Sequence, residues 1–262
     1  MRRLLRRFWS WTGIPERRVK KVGGWEVQPA KTLWDWMQLV LVPAILIGVT
    51  LVWSATQTGS ANKREDRLSQ DALLLSYFTE MSGLTIDKKL LSSKEGDPIR
   101  TVARTATLTV LHRLNGDRKE EVVHSLLEAG LVRSDLPIVQ LHDADLRGAN
   151  FNGADLRNTD LHVVRLEGAH LEGAQLSSVS LLGAHLEGAH LGHADASQAT
   201  IEGAYLARAD LNRAVLTGAD LNHADLTAAN LTGADLTGAN LTGANLTGAN
   251  LTGAKGLPKR SK

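Results

Sequence analysis

Between Leu141 and Leu251 every fifth residue is a large apolar side chain or its stand-in, giving 23 such positions without a slip of frame. Only Phe151, Ala196 and Ile201 among them are not leucine. Two residues before each stands a small residue, usually alanine, as at Ala144, Ala149, Ala154 and Ala249. A period of five fits neither the 3.6-residue turn of an α-helix nor the alternation of a flat strand. Wound as a helix, the leucines would spread around the whole circumference. Gly218, Gly233, Gly238, Gly243 and Gly248 would then each cost about 1 kcal/mol relative to alanine. The pattern instead predicts a solenoid whose sides are five residues long. The central leucine and the alanine before it face inward, and the other three residues face water. With four sides to a coil, residues twenty apart stack at roughly the 4.7–4.9 Å spacing of paired strands. The expected core includes Leu141, Leu146, Phe151, Leu156, Leu186, Leu221, Leu236 and Leu241.

A different pattern precedes the repeat. Between Asp35 and Lys63 there is no charged residue, and Met37 to Trp53 is almost wholly apolar. About 20 such residues cross a hydrocarbon core as a helix. Trp34, Trp36 and Trp53 fall where interfacial aromatic belts belong. Thr32 and Asp35 suit a capping box, and Pro43 kinks the span in a way membrane helices tolerate. Residues 33–54 are therefore expected to form a transmembrane helix. Beyond a polar exit, helical spacing predicts a helix over about 63–81, with Leu68, Leu75 and Phe78 apolar. A second helix is opened by Asp97-Pro98, with the stripe Ile99, Val102, Ala103, Ala106, Val110 and Leu114. A third opens on the capping box Asp117-Arg118-Lys119-Glu120.

The chain thus divides into a basic segment 1–32, the span 33–54, a helical neck and cap 55–135, the solenoid 136–254 and a basic tail 255–262. An open solenoid end needs such a cap, and the tail charges discourage end-to-end strand pairing.

Charge sharpens this picture. Residues 1–32 hold nine Lys/Arg against Glu16 and Glu26, whereas residues 141–254 hold thirteen Asp/Glu against five Arg. Met1 to Thr12 reads either as a basic amphipathic helix for an anionic membrane surface or as a disordered basic tail. Lys63, Arg64 and Arg67 are the basic residues on the other flank of the span. That bias places the N-terminus in the cytoplasm and the repeat outside, in a single-pass cell-membrane protein. With no cysteine there is no disulfide and no thiolate chemistry.

Histidines 142 and 162, and 170 and 190, should stack, but the sequence closes no ligand set around them, so no metal is expected. Arg147 should face Glu167, and Thr217 with Thr237 and Thr227 with Thr247 should form side-chain ladders. The third helix opens on balanced charge, which argues against a DNA-reading helix pair and against nucleic acid as a partner. No nucleophile with a paired base emerges, so no catalysis and no cofactor are expected.

Ala219-Asp220-Leu221-Asn222-His223, Ala234-Asp235-Leu236-Thr237-Gly238 and Ala239-Asn240-Leu241-Thr242-Gly243 match the motif A(D/N)LXX of the pentapeptide-repeat family, which this stretch resembles over about 110 residues. The resemblance implies an all-β, right-handed quadrilateral β-helix without catalytic residues. Two functions follow as expectations. One is a membrane-anchored scaffold presenting a rigid polar surface to an unknown protein partner or to a copy of itself. The alternative, implied by some members of the family, is a DNA-mimicking modulator of a type II topoisomerase.

Overall fold

The computed structural model describes residues 17–21, 24–28, 61–86, 90–132 and 137–257. Residues 1–60 and 61–262 form two compact units. In the first, strands β1 (Arg17–Lys21) and β2 (Gly24–Gln28) pair antiparallel, Arg17 opposite Gln28 and Lys21 opposite Gly24. The segment predicted to cross the membrane, with Trp34, Trp36, Pro43 and Trp53, lies outside the described residues, as does Met1 to Thr12. Among the described residues no helix is long and apolar enough to span a bilayer.

The second unit opens with three mutually packed helices, α1 (Ala61–Ile86), α2 (Pro98–Arg113) and α3 (Gly116–Glu128). In α1 the buried stripe is Leu74, Tyr77, Phe78, Met81 and Leu84, spaced by threes and fours. Leu68 and Leu75, predicted to be apolar contacts, are exposed, because they sit off that stripe. Asp97 caps α2 as expected, accepting from the Ile99 N–H at 3.2 Å. Its buried face is Ala103, Thr107, Val110 and Leu111, while Val102 points outward. Thr107 belongs to the core because its hydroxyl bonds the buried Tyr77 hydroxyl at 3.0 Å.

The capping box predicted at Asp117 is corrected: α3 begins at Gly116, and Asn115 is the cap, accepting from the Arg118 N–H at 3.1 Å. Gly116 stands at the first position because a Cβ there would lie 2.0 Å from the Gly148 carbonyl oxygen. This end of α3 is therefore pressed directly on the first coil.

From Leu141 onward the chain winds in five-residue sides. Each leucine-position carbonyl accepts from the N–H three residues on, as in Leu141 to Ala144 at 3.0 Å. The residue two beyond the leucine takes positive φ, usually as glycine. Nineteen isolated parallel bridges, from Asp145↔Arg165 to Asp235↔Lys255, all join residues twenty apart, which fixes four sides to a coil. Leu141, Leu146, Phe151, Leu156, Leu186, Leu221 and Leu236 are buried. Leu241 is only half-buried, because none of the described residues forms a further coil over it.

Candidate interaction surface

The junction between helices and rod centres on Asp145, which is nearly buried. Its carboxylate accepts from Lys119 Nζ at 2.9 Å and is gripped by Arg147 at 2.9 and 2.6 Å. Burial alone would push this carboxyl up, but the hydrogen bonds from Arg147 and Lys119 outweigh it and hold the group well below the usual carboxylate range. Nearby, Arg104 reaches the His142 carbonyl at 3.1 Å and Asp143 at 3.6 Å. Burial first, then the Arg104 and His162 charges, lowers the His142 imidazole. On the far side of α3 the buried Asp71 of α1 pairs with Arg118, which also binds Glu121. A one-residue reading of charge balance in α3 missed Lys119; its lysine stem lies along the buried face with Val122 and Val123.

Arg147 thus gives its hydrogen bonds to Asp145, while Glu167, its expected neighbour one coil away, acts on it through charge alone; the preference has a simple cause. Residues flanking one buried leucine lie on the same side of the coil, so a side chain two positions away is within easy reach. Arg157 takes Asp155 and Arg165 takes Glu167 in the same way. The threonines are corrected likewise. Thr227, Thr232, Thr237 and Thr252 return their hydroxyls to the Asp or Asn two residues before. The ladders between coils are made by asparagine instead: Asn230 donates to Asp210 at 2.8 Å and Asn240 to Asp220 at 2.9 Å. The Asp or Asn oxygen also accepts the N–H two residues on, as Asp235 does from Thr237 at 3.0 Å. That double acceptance explains why the position before each leucine is so often Asp or Asn.

The predicted histidine stacks are present, with ring centroids 4.6 Å apart for His142–His162 and 4.9 Å for His170–His190. A third stack, His185 on Tyr205 at 4.7 Å, was not read from the sequence, although the twenty-residue register contained it. Each imidazole of these pairs faces a carboxylate: His162 faces Asp160 at 2.7 Å, and His170 and His190 share Glu172 at 3.7 and 4.0 Å. No cluster of three metal-ligating side chains occurs among the described residues.

A cleft of about 400 Å³ between α1 and α2 is lined by Leu73, Tyr77, Val102, Ala106 and Val110, with Glu80 and Arg113 at its margins. Burial pushes the Tyr77 hydroxyl up, so it stays protonated and serves the core. The outward columns of the rod are therefore the surface with the most distinctive chemistry.

This geometry defines a β-solenoid with four five-residue sides. Residues 131–192 and 197–255 match the family described as pentapeptide repeats, in eight copies, and the chain belongs to that family, whose fold is the right-handed quadrilateral β-helix. Among solved structures it is similar to the pentapeptide-repeat protein Rfr23 of the cyanobacterium Cyanothece. That match has 29% identity and a TM-score of 0.34, over 42% of this chain and 86% of that one. It is also similar to HetL, a pentapeptide-repeat protein involved in heterocyst differentiation regulation in Nostoc, at 30% identity and a TM-score of 0.24, over 47% and 74%. A further similar structure is QnrB1, a plasmid-mediated fluoroquinolone resistance protein, at 22% identity and a TM-score of 0.28, over 43% and 63%. Comparison with curated protein sequences finds no match. The family match indicates no enzyme family.

Proposed function

We propose that this protein is a membrane-tethered interaction scaffold. The observation that carries the reading is the register of the rod. Coil-to-coil bonds such as Leu186 N–H to Tyr205 O at 2.7 Å and Gly188 N–H to Ala207 O at 3.0 Å lock outward side chains into columns. A partner meets a preformed surface and little ordering entropy is lost on binding. In this reading residues 33–54 anchor the chain in the lipid, the N-terminus is cytoplasmic and the rod stands outside. The partner is a protein or a second copy of the chain.

Photo-crosslinking residues placed at Tyr205, Asn212, Thr217 and Asn222 sample one position on each side of a coil. In native membranes at least one should give a discrete protein adduct. Adducts from none of the four would remove the scaffold reading. Topology is tested separately: protease added to intact spheroplasts should digest the rod while sparing an N-terminal tag, and the reverse pattern would invert the orientation.

A DNA-mimicking modulator of a type II topoisomerase remains the second reading, favoured by the acidic balance of the repeat. Against it, Asp145, Asp155 and Glu167 are neutralised by neighbouring arginines. Duplex DNA carries about one charge per 1.7 Å, far more than this rod. Inhibition of gyrase supercoiling at micromolar full-length protein would reverse the preference.

A further inference from the structure

Two contacts fix how α1 and α2 run past one another. Gln70 Nε2 donates to the Arg113 carbonyl at 3.3 Å, and the Tyr77 and Thr107 hydroxyls bond at 3.0 Å. The helices are therefore antiparallel, and the cleft between them has two chemically different ends. Arg113 stands at the end beside Gln70. Glu80 stands at the other, toward Thr101, about 15 Å further along α1 at the rise of an α-helix. Between these charges the lining is Leu73, Tyr77, Ala106 and Val110. Val102 on the rim is exposed, as is Leu75 on the flank of α1.

Among the described residues nothing answers these ends. The Glu80 and Arg113 side chains are exposed and make no hydrogen bond or ion pair. The Tyr77 hydroxyl is taken by Thr107, so the floor offers no polar group to orient a small ligand. What complements the cleft is an apolar helical surface with an acid where the cleft has a base and a base where it has an acid. The cleft turned end for end is such a surface.

We propose that two copies of the chain pair through this cleft, α1 on α1 and α2 on α2, as a four-helix bundle. A two-fold axis across the helices, passing near Leu75 and Ser76, lays each Glu80 over the Arg113 end of the other copy's cleft. One operation thus answers both charges of both copies. It also brings Leu73 of one copy toward Tyr77 of the other. Ser76, Thr105, Ala106 and Thr109 are small enough for the helices to reach the roughly 8–10 Å separation of packed pairs. A two-fold axis along the helices would instead set Glu80 toward the Thr101 end of the other cleft and leave the charges unanswered. No outward column of the rod takes part, so the pairing goes beyond the scaffold reading and leaves two rods open to a partner.

The chain has no cysteine, so single-cysteine variants report this contact alone. In native membranes under mild oxidation, full-length Ser76→Cys should form an intermolecular disulfide, whereas Thr217→Cys, on the rod, should not. Sedimentation of the full-length protein should show a dimer. Glu80→Arg and Arg113→Glu should each weaken it about tenfold by setting like charges together. Neither should move the melting temperature of the monomer, because neither side chain has a partner within its own chain. The double variant Glu80→Arg with Arg113→Glu should return to within about twofold of the natural protein, a rescue that damage to the fold could not give. A monomer, single swaps without effect, or a double variant that stays weak would each overturn the proposal. A monomeric Ser76→Cys variant that couples to a different membrane protein would give the cleft to a foreign helix and overturn it equally. Rod crosslinks from a monomeric protein would keep the scaffold reading and sink the pairing alone.

Discussion

The C-terminal coils and the central coils share one backbone and differ in what they do with it. From Asn230 onward the outward positions settle into Asp or Asn, Thr and Gly, with asparagine ladders and hydroxyls turned back on their own turns. Between His162 and Arg213 the same positions carry histidine, tyrosine, leucine, valine and arginine, and left-handed φ falls on Val163, Ser178, His193, Gln198 and Arg208. The buried leucines and alanines hardly change between the two. The inward columns therefore carry the fold, and the outward columns are free to serve either the stack or a partner. The regular coils spend them on the stack.

The largest test of that division is Leu186→Asp against Leu246→Asp. Leu186 is fully buried, and an unpaired carboxylate there should cost about 3–5 kcal/mol and unfold the rod. Leu246 is half-buried in the last described coil, and the same change should fray that coil for about 1 kcal/mol. Equal losses of β-sheet circular dichroism would show that stability is not shared coil by coil. Next in size is Gly238→Val. At φ of 71° it should cost about 1–2 kcal/mol in thermal melts, whereas Val163→Gly, which takes a branched side chain off φ of 55°, should gain a similar amount. If the two changes have the same sign, the left-handed position is not what distinguishes the coils. A smaller effect is expected from Asn240→Asp, which replaces a donor to Asp220 by a like charge one coil away. The loss should be about 0.5–1 kcal/mol and should shrink in high salt.

The smallest effect belongs to pH at the first coil. The lowered imidazole of His142 means that the unfolded chain takes up its proton first as pH falls from about 6.5. Stability of this coil and of α2 should therefore decline as pH drops below that value, seen as faster amide exchange, and His142→Gln should abolish the trend. The contribution of Asp145 is retained in this window. Its carboxyl is depressed, so that contribution is lost only when pH falls below the ordinary carboxylate value of 3.8.

The rod was legible because a five-residue period sustained over twenty-three sides admits one way to bury every leucine. The direction of each column, including the two stacked histidine pairs, came with it. Partner choice was not legible. Arg147 could bond Glu167 or Asp145, and only the side-chain path puts its hydrogen bonds on Asp145, with Glu167 kept as a nearby charge. Of the helices only α2 was located by its true cap, Asp97, and the faces of α1 and α2 were read partly off, as Leu75 and Val102 show. Alanine and threonine at helical spacing give a weak stripe, and the Tyr77–Thr107 hydrogen bond that fixes the face is invisible to hydropathy. Gly116 starts a helix, and the constraint on it comes from Gly148, thirty-two residues away.

Bridges between residues twenty apart make the rod a ruler graduated from its helical end. The near-identical units from Leu231 to Asn250 are the kind of tandem sequence that gains or loses members by slippage during copying. One unit more or less turns everything beyond it by a quarter of a circle, and four units restore the original facing. Such changes fall above Tyr205, so the coils from Leu141 to Tyr205 keep their height over α3 whatever length the rod takes. Relatives of differing length could thus present the same face at the same offset from their base.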